Sequence, residues 1–130
     1  MATVTSKLTI TSSDLISQAL SISVSNSSTV SHTTGVARTP VGQTAVHTDA
    51  AVLYTTATYA APAYLYVKNT DTTATNYVYV YDGTTSGDPV TLKLSGGEFA
   101  FMPLNAGLTL KAYGTNATSV VEYMIFGTEA

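Results

Sequence analysis

Val90-Thr-Leu-Lys-Leu-Ser-Gly-Gly-Glu-Phe-Ala-Phe-Met-Pro-Leu104 is the stretch whose reading decides the fold. Val90, Leu92 and Leu94 alternate with Thr91, Lys93 and Ser95, the period of two that marks a half-buried strand. Gly96-Gly97 supplies backbone freedom for a tight reversal. After it Phe99 and Phe101 share a face, and Pro103, with no N–H to give a ladder, ends the run. Read this way, the stretch is a short hairpin with a large apolar side. Such a hairpin is too small to be stable alone, so other strands must supply the opposite wall. Leu92, Leu94, Phe99, Phe101, Leu108 and Leu110 are expected to be buried together on inner faces of neighbouring strands.

Moving C-terminally, Asn105-Ala-Gly107 reads as a turn, and Leu108, Leu110 and Ala112 alternate with Thr109, Lys111 and Tyr113. Gly114 to Thr118 is a loop, and Val120 to Phe126 closes the chain's pattern, apolar on both sides except Glu122. Moving N-terminally, Asp82 to Pro89 is a turn by composition. Val78 and Val80 oppose Tyr77, Tyr79 and Tyr81, and Leu65 and Val67 oppose Tyr64 and Tyr66, with a loop over residues 69–75 between them. Ala60-Ala61-Pro62 interrupts a β-prone run that includes Leu53, residues 44–48 carry little signal, and Gly35 to Gly42 crosses between sheets. Residues 3–11 and 20–25 alternate as strands, Asn26-Ser27-Ser28 reads as a turn, and residues 29–34 as a third strand. Ser12-Ser13-Asp14 is placed to cap one helical turn over residues 15–18. The sum is an all-β chain, a β-sandwich or barrel of roughly 8–10 short antiparallel strands at the spacing such folds show. It reads as a single domain over residues 1–130, with residues 2–10 either a contact arm that adds a strand to a neighbour's sheet edge or the first strand of its own sandwich.

Charged residues make up 10% of the 130-residue chain, against about 25% in an ordinary soluble domain. Solubility then rests on Ser and Thr hydroxyls, which favours a protein whose surface ends up against something. A net charge of −3 with five basic residues gives no field for nucleic acid. No run approaches the length of a membrane span. The first residues enter alternation with no apolar signal core, which fits a protein outside the secretory pathway. Without cysteine there is no disulfide, zinc-thiolate site or thiol nucleophile.

His32 and His47 are the two imidazoles, and His47-Thr48-Asp49 lacks the further ligands a metal needs. Asp82-Gly83 and Asp88 do not keep the register of a calcium loop. Glu98 and Glu122 are the carboxylates to weigh for glycosidase chemistry, but nothing in the sequence sets them face to face. No serine stands in Gly-x-Ser-x-Gly, and no phosphate-cradling loop is present. The reading is a non-enzyme without cofactors or metals. The sequons at Asn26 and Asn116 carry little weight without a secretion signal. Tyr64, Tyr66, Tyr77, Tyr79 and Tyr81 fall at strand spacing. They form either a platform for a glycan or protein partner, or cross-strand aromatic pairs. Together with Val4 and Leu8 of the arm they are the candidate partner contacts.

The order Tyr64-Leu-Tyr-Val-Lys-Asn-Thr70, Tyr77-Val-Tyr-Val-Tyr-Asp-Gly83, Leu92-Lys-Leu-Ser-Gly-Gly-Glu-Phe-Ala-Phe-Met-Pro-Leu104, Leu110-Lys-Ala-Tyr113 and Val120-Val-Glu-Tyr-Met124 resembles small β-sandwich virion proteins of tailed bacteriophages. Many of these look like capsid decoration (cement) or head-fibre proteins. The resemblance covers about half the chain, short of a whole domain. It implies a jelly roll and a place on the capsid surface of a virion. The implied partners are the major capsid protein and further copies of the chain, as a homo-oligomer such as a trimer. It transfers no catalytic residues. A tail, neck or baseplate component of the same virion is the alternative within that resemblance. A carbohydrate-binding sandwich using the tyrosines is the alternative outside it.

Overall fold

Alternating Thr, Val, Ile and Tyr favour an extended, pleated backbone. In the computed structural model, which describes residues 1–43, 50–54, 59–83, 90–105 and 108–129, they form eleven strands. No helix occurs among the described residues. The chain divides into two compact units, Met1–Ser31 and His32–Ala130.

The first unit is one long hairpin. β1 (Ala2–Ser12) pairs antiparallel with β2 (Leu20–Val30) in unbroken register, from Ala2 opposite Val30 to Ser12 opposite Leu20. The turn expected at Asn26-Ser27-Ser28 does not form, because these residues pair with Ser6, Thr5 and Val4. Turn propensity loses to a ladder that continues through them, and the Thr5 and Ser27 hydroxyls bond across it at 3.0 Å. The helical turn expected after Ser12 is also absent. The Ser12 Oγ does accept the N–H groups of Asp14 and Leu15 at 3.3 and 3.0 Å, as a capping serine should. The chain then bends into β2, and so short a connection leaves no length for a cooperative helix.

The second unit is a sandwich. One sheet has the order β5 (Ala51–Tyr54), β10 (Leu110–Gly114), β7 (Val78–Asp82), β8 (Val90–Leu94). The other has the order β3 (His32–Thr33), β11 (Val120–Glu129), β6 (Tyr59–Asn69), β9 (Phe99–Leu104), with β4 (Ala37–Pro40) also on β11. All these pairings are antiparallel. The inner faces share one core. Leu53, Val78, Val80, Leu94, Leu110 and Ala112 come from the first sheet, and Ala63, Leu65, Val67, Leu104, Val121 and Ile125 from the second. Each fully buried aliphatic side chain contributes about 1.5–3 kcal/mol relative to exposure. The segment read as a crossing does cross: Pro40 pairs with Val120 of one sheet, and Gly42 bridges Tyr113 of the other.

The deciding stretch is built differently from its sequence reading. β8 pairs with β7 and β9 pairs with β6, so the two halves of Val90–Leu104 lie in different sheets. Ser95-Gly-Gly-Glu98 is an arch over the end of the sandwich, not a hairpin turn. Its own turn closes by the Glu98 N–H on the Ser95 carbonyl at 3.0 Å, with Gly97 at φ 83°, the sign that the third position of a type II turn requires. Gly96 is needed for a different reason: a Cβ there would run into the Thr73 carbonyl oxygen. What pulls the strands apart is Asn69, fully buried at the end of β6. Its carbonyl accepts the Gly97 N–H at 3.0 Å, and its own N–H donates to the Glu98 carbonyl at 2.9 Å. Its Nδ2 donates to the carbonyls of Leu94 and Asn76 at 3.1 and 2.8 Å.

With the arch, the phase of β9 inverts. Ala100, Met102 and Leu104 pack on the core, and Phe99 and Phe101 are exposed. Of the six residues expected in the core, Leu94 and Leu110 are buried, and Leu92 and Leu108 are partly buried against it. Ala60-Ala61-Pro62 does not interrupt a strand. β6 runs through it, and the register shift opposite Gly127 and Thr128 marks a bulge, a place where proline's missing N–H costs nothing. The sequence expectations for residues 44–49, 84–89 and 106–107 lie outside the described residues.

Candidate functional site: an aromatic contact surface

The outer face of the five-stranded sheet follows from alternation. Leu65, Val67 and Asn69 point inward from β6, so Tyr64, Tyr66 and Lys68 point outward. By the same rule β9 presents Phe99, Phe101 and Pro103, and β11 presents Glu122, Met124 and Phe126. Register then arranges them in rows. Lys68 lies between Glu122 and Phe99, Tyr66 between Met124 and Phe101, and Tyr64 between Phe126 and Pro103.

At one end of these rows the rings form a cluster. Tyr64 stacks on Phe101 with centroids 5.9 Å apart and planes 7° from parallel, and on Phe126 at 5.4 Å. Phe101 and Phe126 are 6.1 Å apart. Tyr64 and Phe101 are diagonal neighbours across the β6–β9 ladder, within reach for aromatic side chains. The cluster buries Phe126, but it leaves Phe101 at 44% and Phe99 at 63% exposure. Two phenylalanines on an outer sheet face leave apolar surface in water, which marks this face as the candidate contact surface.

At the other end the face is ionic. The Glu122 Oε2 accepts from Arg38 Nε at 3.0 Å and Nη2 at 2.9 Å, and its Oε1 accepts from the Tyr66 hydroxyl at 3.1 Å. These bonds, Arg38 first and Tyr66 second, hold the Glu122 carboxyl below the usual carboxylate range. Burial, and then the bond to Glu122, push the Tyr66 phenol up, so it stays a donor. Glu122 is therefore a fixed, ionised anchor. Glu98, the other carboxylate weighed for glycosidase chemistry, accepts the Ser95 N–H at 2.7 Å and closes the arch. Each of the two carboxylates serves its own local bond.

The tyrosine stripes separate. Tyr64 and Tyr66 belong to the five-stranded sheet, and Tyr77 and Tyr79 to the outer side of the other. There Tyr79 stacks on Tyr113 at 4.9 Å, and Lys93 Nζ lies 3.9 Å from the Tyr77 ring centroid. Tyr81 is buried, edge-on to Tyr113 at 5.8 Å. These rings satisfy one another, as cross-strand pairs do. Burial, and then Tyr79, push the Tyr113 phenol up.

Val4 and Leu8 share one face of the hairpin unit, where Leu8 stands opposite Val24 and Val4 opposite Ser28. Phe99 and Phe101 were missed as surface residues. The signal was ambiguous, because in Phe-Ala-Phe-Met-Pro-Leu either the Phe, Phe, Pro set or the Ala, Met, Leu set makes an acceptable inner face. Among the described residues no three His, Asp or Glu side chains gather to hold a metal. His47 and Asp49 lie outside those residues. Comparison with known proteins finds no family model, no curated protein and no solved structure that matches the chain.

Proposed function

We propose that the protein is a structural component of a tailed-phage virion, a decoration protein that binds the outside of the assembled head. The observation that carries this reading is the exposed pair Phe99 and Phe101 on one face, where Phe101 stacks on Tyr64 and Phe126, and Phe99 lies in the row of Lys68 and Glu122, with Arg38 bonded to Glu122. An aromatic centre beside a polar, hydrogen-bonded border is the make-up of a protein–protein contact. The strand order supports the jelly-roll reading. With β3 and β4 taken as one strand, the eight strands of the second unit run 1-8-3-6 in one sheet and 2-7-4-5 in the other. This is the winding of two interlocked Greek keys.

The mechanism is thermodynamic. A protein that binds the assembled shell but not free capsid subunits stabilises the shell by mass action, and each copy adds to the effect. The major capsid protein is the partner, and the aromatic face is seated on it. The test is binding of the purified chain to shells stripped of it, beside the double variant Phe99→Ala, Phe101→Ala. Saturable binding that the variant loses supports the reading. Binding to isolated tails but not to shells moves the protein to the tail, neck or baseplate. Binding to a glycan array through Tyr77 and Tyr79, with none to particles, replaces the reading by a carbohydrate-binding one.

A further inference from the structure

The chain carries five basic side chains against eight acidic ones, and four of the five basic ones lie in the sandwich. Three of those four are already committed. Lys93 holds its ammonium 3.9 Å from the Tyr77 ring centroid. Lys111 is buried, and its stem fills the space that a Cβ on Gly83 would need. Arg38 is ion-paired with Glu122. The fourth, Lys68, is half-buried, and its ammonium makes no ion pair, hydrogen bond or ring contact among the described residues.

Lys68 stands at one end of the aromatic rows. Across the ladders its own row reads Arg38, Glu122, Lys68, Phe99. The carboxylate in that row is full. Its Oε2 takes two bonds from Arg38 and its Oε1 takes the Tyr66 hydroxyl. Glu98, next to Phe99 in the chain, is turned to the Ser95 N–H. The Arg38 side chain is 69% exposed, and the pair engages its Nε and Nη2, with Nη1 outside it. The row thus presents two cations against one committed carboxylate, in a chain whose net charge is −3. Two further rows follow, Met124, Tyr66 and Phe101, then Phe126, Tyr64 and Pro103. Successive rows are two residues apart along β6, about 7 Å. An extended peptide laid along β6 presents the side chains of one face at that same interval.

We propose that this face reads an extended segment of a protein partner that carries one carboxylate and, at two-residue steps from it, two apolar side chains. The carboxylate pairs with Lys68 and Arg38. The apolar side chains cover the exposed Phe101 and the row of Tyr64 and Pro103 beyond it. Lys68 is the specificity-determining residue. A pair at a half-exposed site adds little affinity. What it adds is discrimination, because a basic side chain in the same place meets two like charges. A sugar chain fits the face less well. Phe99, Phe101, Met124 and Pro103 carry no group to bond its hydroxyls, which would be covered unpaired. The inference rests on the reading of this face as the contact surface, and adds what the partner must bring to it.

The test is titration of the full chain with end-blocked, fluorescently labelled peptides, read by anisotropy at low salt. One peptide is Ser-Glu-Thr-Leu-Thr-Leu-Ser, the other has lysine in place of glutamate, and both are also made in reversed order. In one of the two directions the acidic peptide should bind about tenfold more tightly than the basic one, the size of a close charge pair across an interface. The gap should narrow as salt screens the pair. Lys68→Gln should remove it, Lys68→Glu should reverse it, and Lys93→Gln on the other sheet should leave it unchanged. Phe101→Ala should weaken both peptides. No binding of any peptide, equal binding of the acidic and basic forms, or a gap that survives in Lys68→Gln would each overturn the proposal. So would an oligogalacturonate that binds in preference to the peptides and is lost in Phe101→Ala. Stripped shells separate this inference from the virion reading. Shells bound equally by the natural chain and by Lys68→Gln remove the inference and keep the reading. A peptide gap that Lys68→Gln removes, with no affinity for shells, keeps the inference and removes the reading.

Discussion

Asn69 and Leu94 lie in opposite sheets of the sandwich and are joined by a single hydrogen bond, from the Asn69 Nδ2 to the Leu94 carbonyl at 3.1 Å. The same Asn69 holds the arch of residues 95–98 through its backbone at both polar groups. One buried amide thus ties the end of β6 to the end of β8 and forces the chain between them to change sheets. Asn69→Ala leaves the carbonyls of Leu94 and Asn76 without this donor inside the protein. Each such loss costs about 1–3 kcal/mol. Urea unfolding should show a drop of that order or more, with the slope unchanged. A loss below ~0.5 kcal/mol, the range of neutral surface changes, would remove Asn69 from this role.

The two glycines of the arch fail for separate reasons. Gly97→Ala places a side chain at φ 83°, a strain of about 1–2 kcal/mol. Gly96→Ala meets a backbone carbonyl, at Thr73, and that atom moves only with its loop. The second substitution should lower the thermal midpoint more than the first. The reverse order would mean that the 71–73 loop yields easily.

Phe101 and Leu65 give opposite outcomes when shortened. Leu65 is fully buried, and Leu65→Ala should cost about 2–5 kcal/mol. Phe101→Ala loses stacking on Tyr64 and Phe126, about 0.5–1.5 kcal/mol, and little burial, because the ring is already exposed. Denaturant titrations of the two variants side by side check this. Phe101→Ala losing as much as Leu65→Ala would place the ring in the core after all.

The Arg38–Glu122–Tyr66 group sets a pH dependence with a definite sign. Glu122 is held below the usual carboxylate range by Arg38 and then Tyr66. A depressed carboxylate stabilises the fold above its unfolded value and loses that contribution as pH falls through its lower folded value. Glu122→Gln should therefore lower the melting temperature at neutral pH. The gap to the natural chain should close as pH drops below ~4.3, the ordinary value for glutamate. A gap that stays constant down to strong acid would show that the carboxylate's charge is not what the group uses.

Strand identity was legible in the sequence, and for a local reason. Alternation in Val78-Tyr-Val-Tyr or Leu110-Lys-Ala-Tyr is written into neighbouring residues, and the chain has only to extend for it to take effect. The all-β class and the inward set Leu65, Val67, Val78 and Val80 follow from the same local signal, and the crossing at residues 35–42 from Pro40 and its flanking glycines. Which strands pair is a different kind of fact. Nothing within Val90–Leu104 tells a hairpin from an arch. The choice is made by Asn69, more than twenty residues upstream, which occupies the backbone groups of Gly97 and Glu98. That choice also fixes which half of Phe-Ala-Phe-Met-Pro-Leu faces water, so the aromatic surface is a product of pairing and not of composition. Likewise, Tyr64 and Tyr66 read as one stripe with Tyr77 and Tyr79 until β6 and β7 fall into separate sheets. The polar side chains of Asn26, Ser27 and Ser28 favour a turn locally, yet a ladder of eleven pairs carries the strand through them. A period of two marks a face, but only the partner across the ladder decides whether that face meets the core, the solvent or another chain.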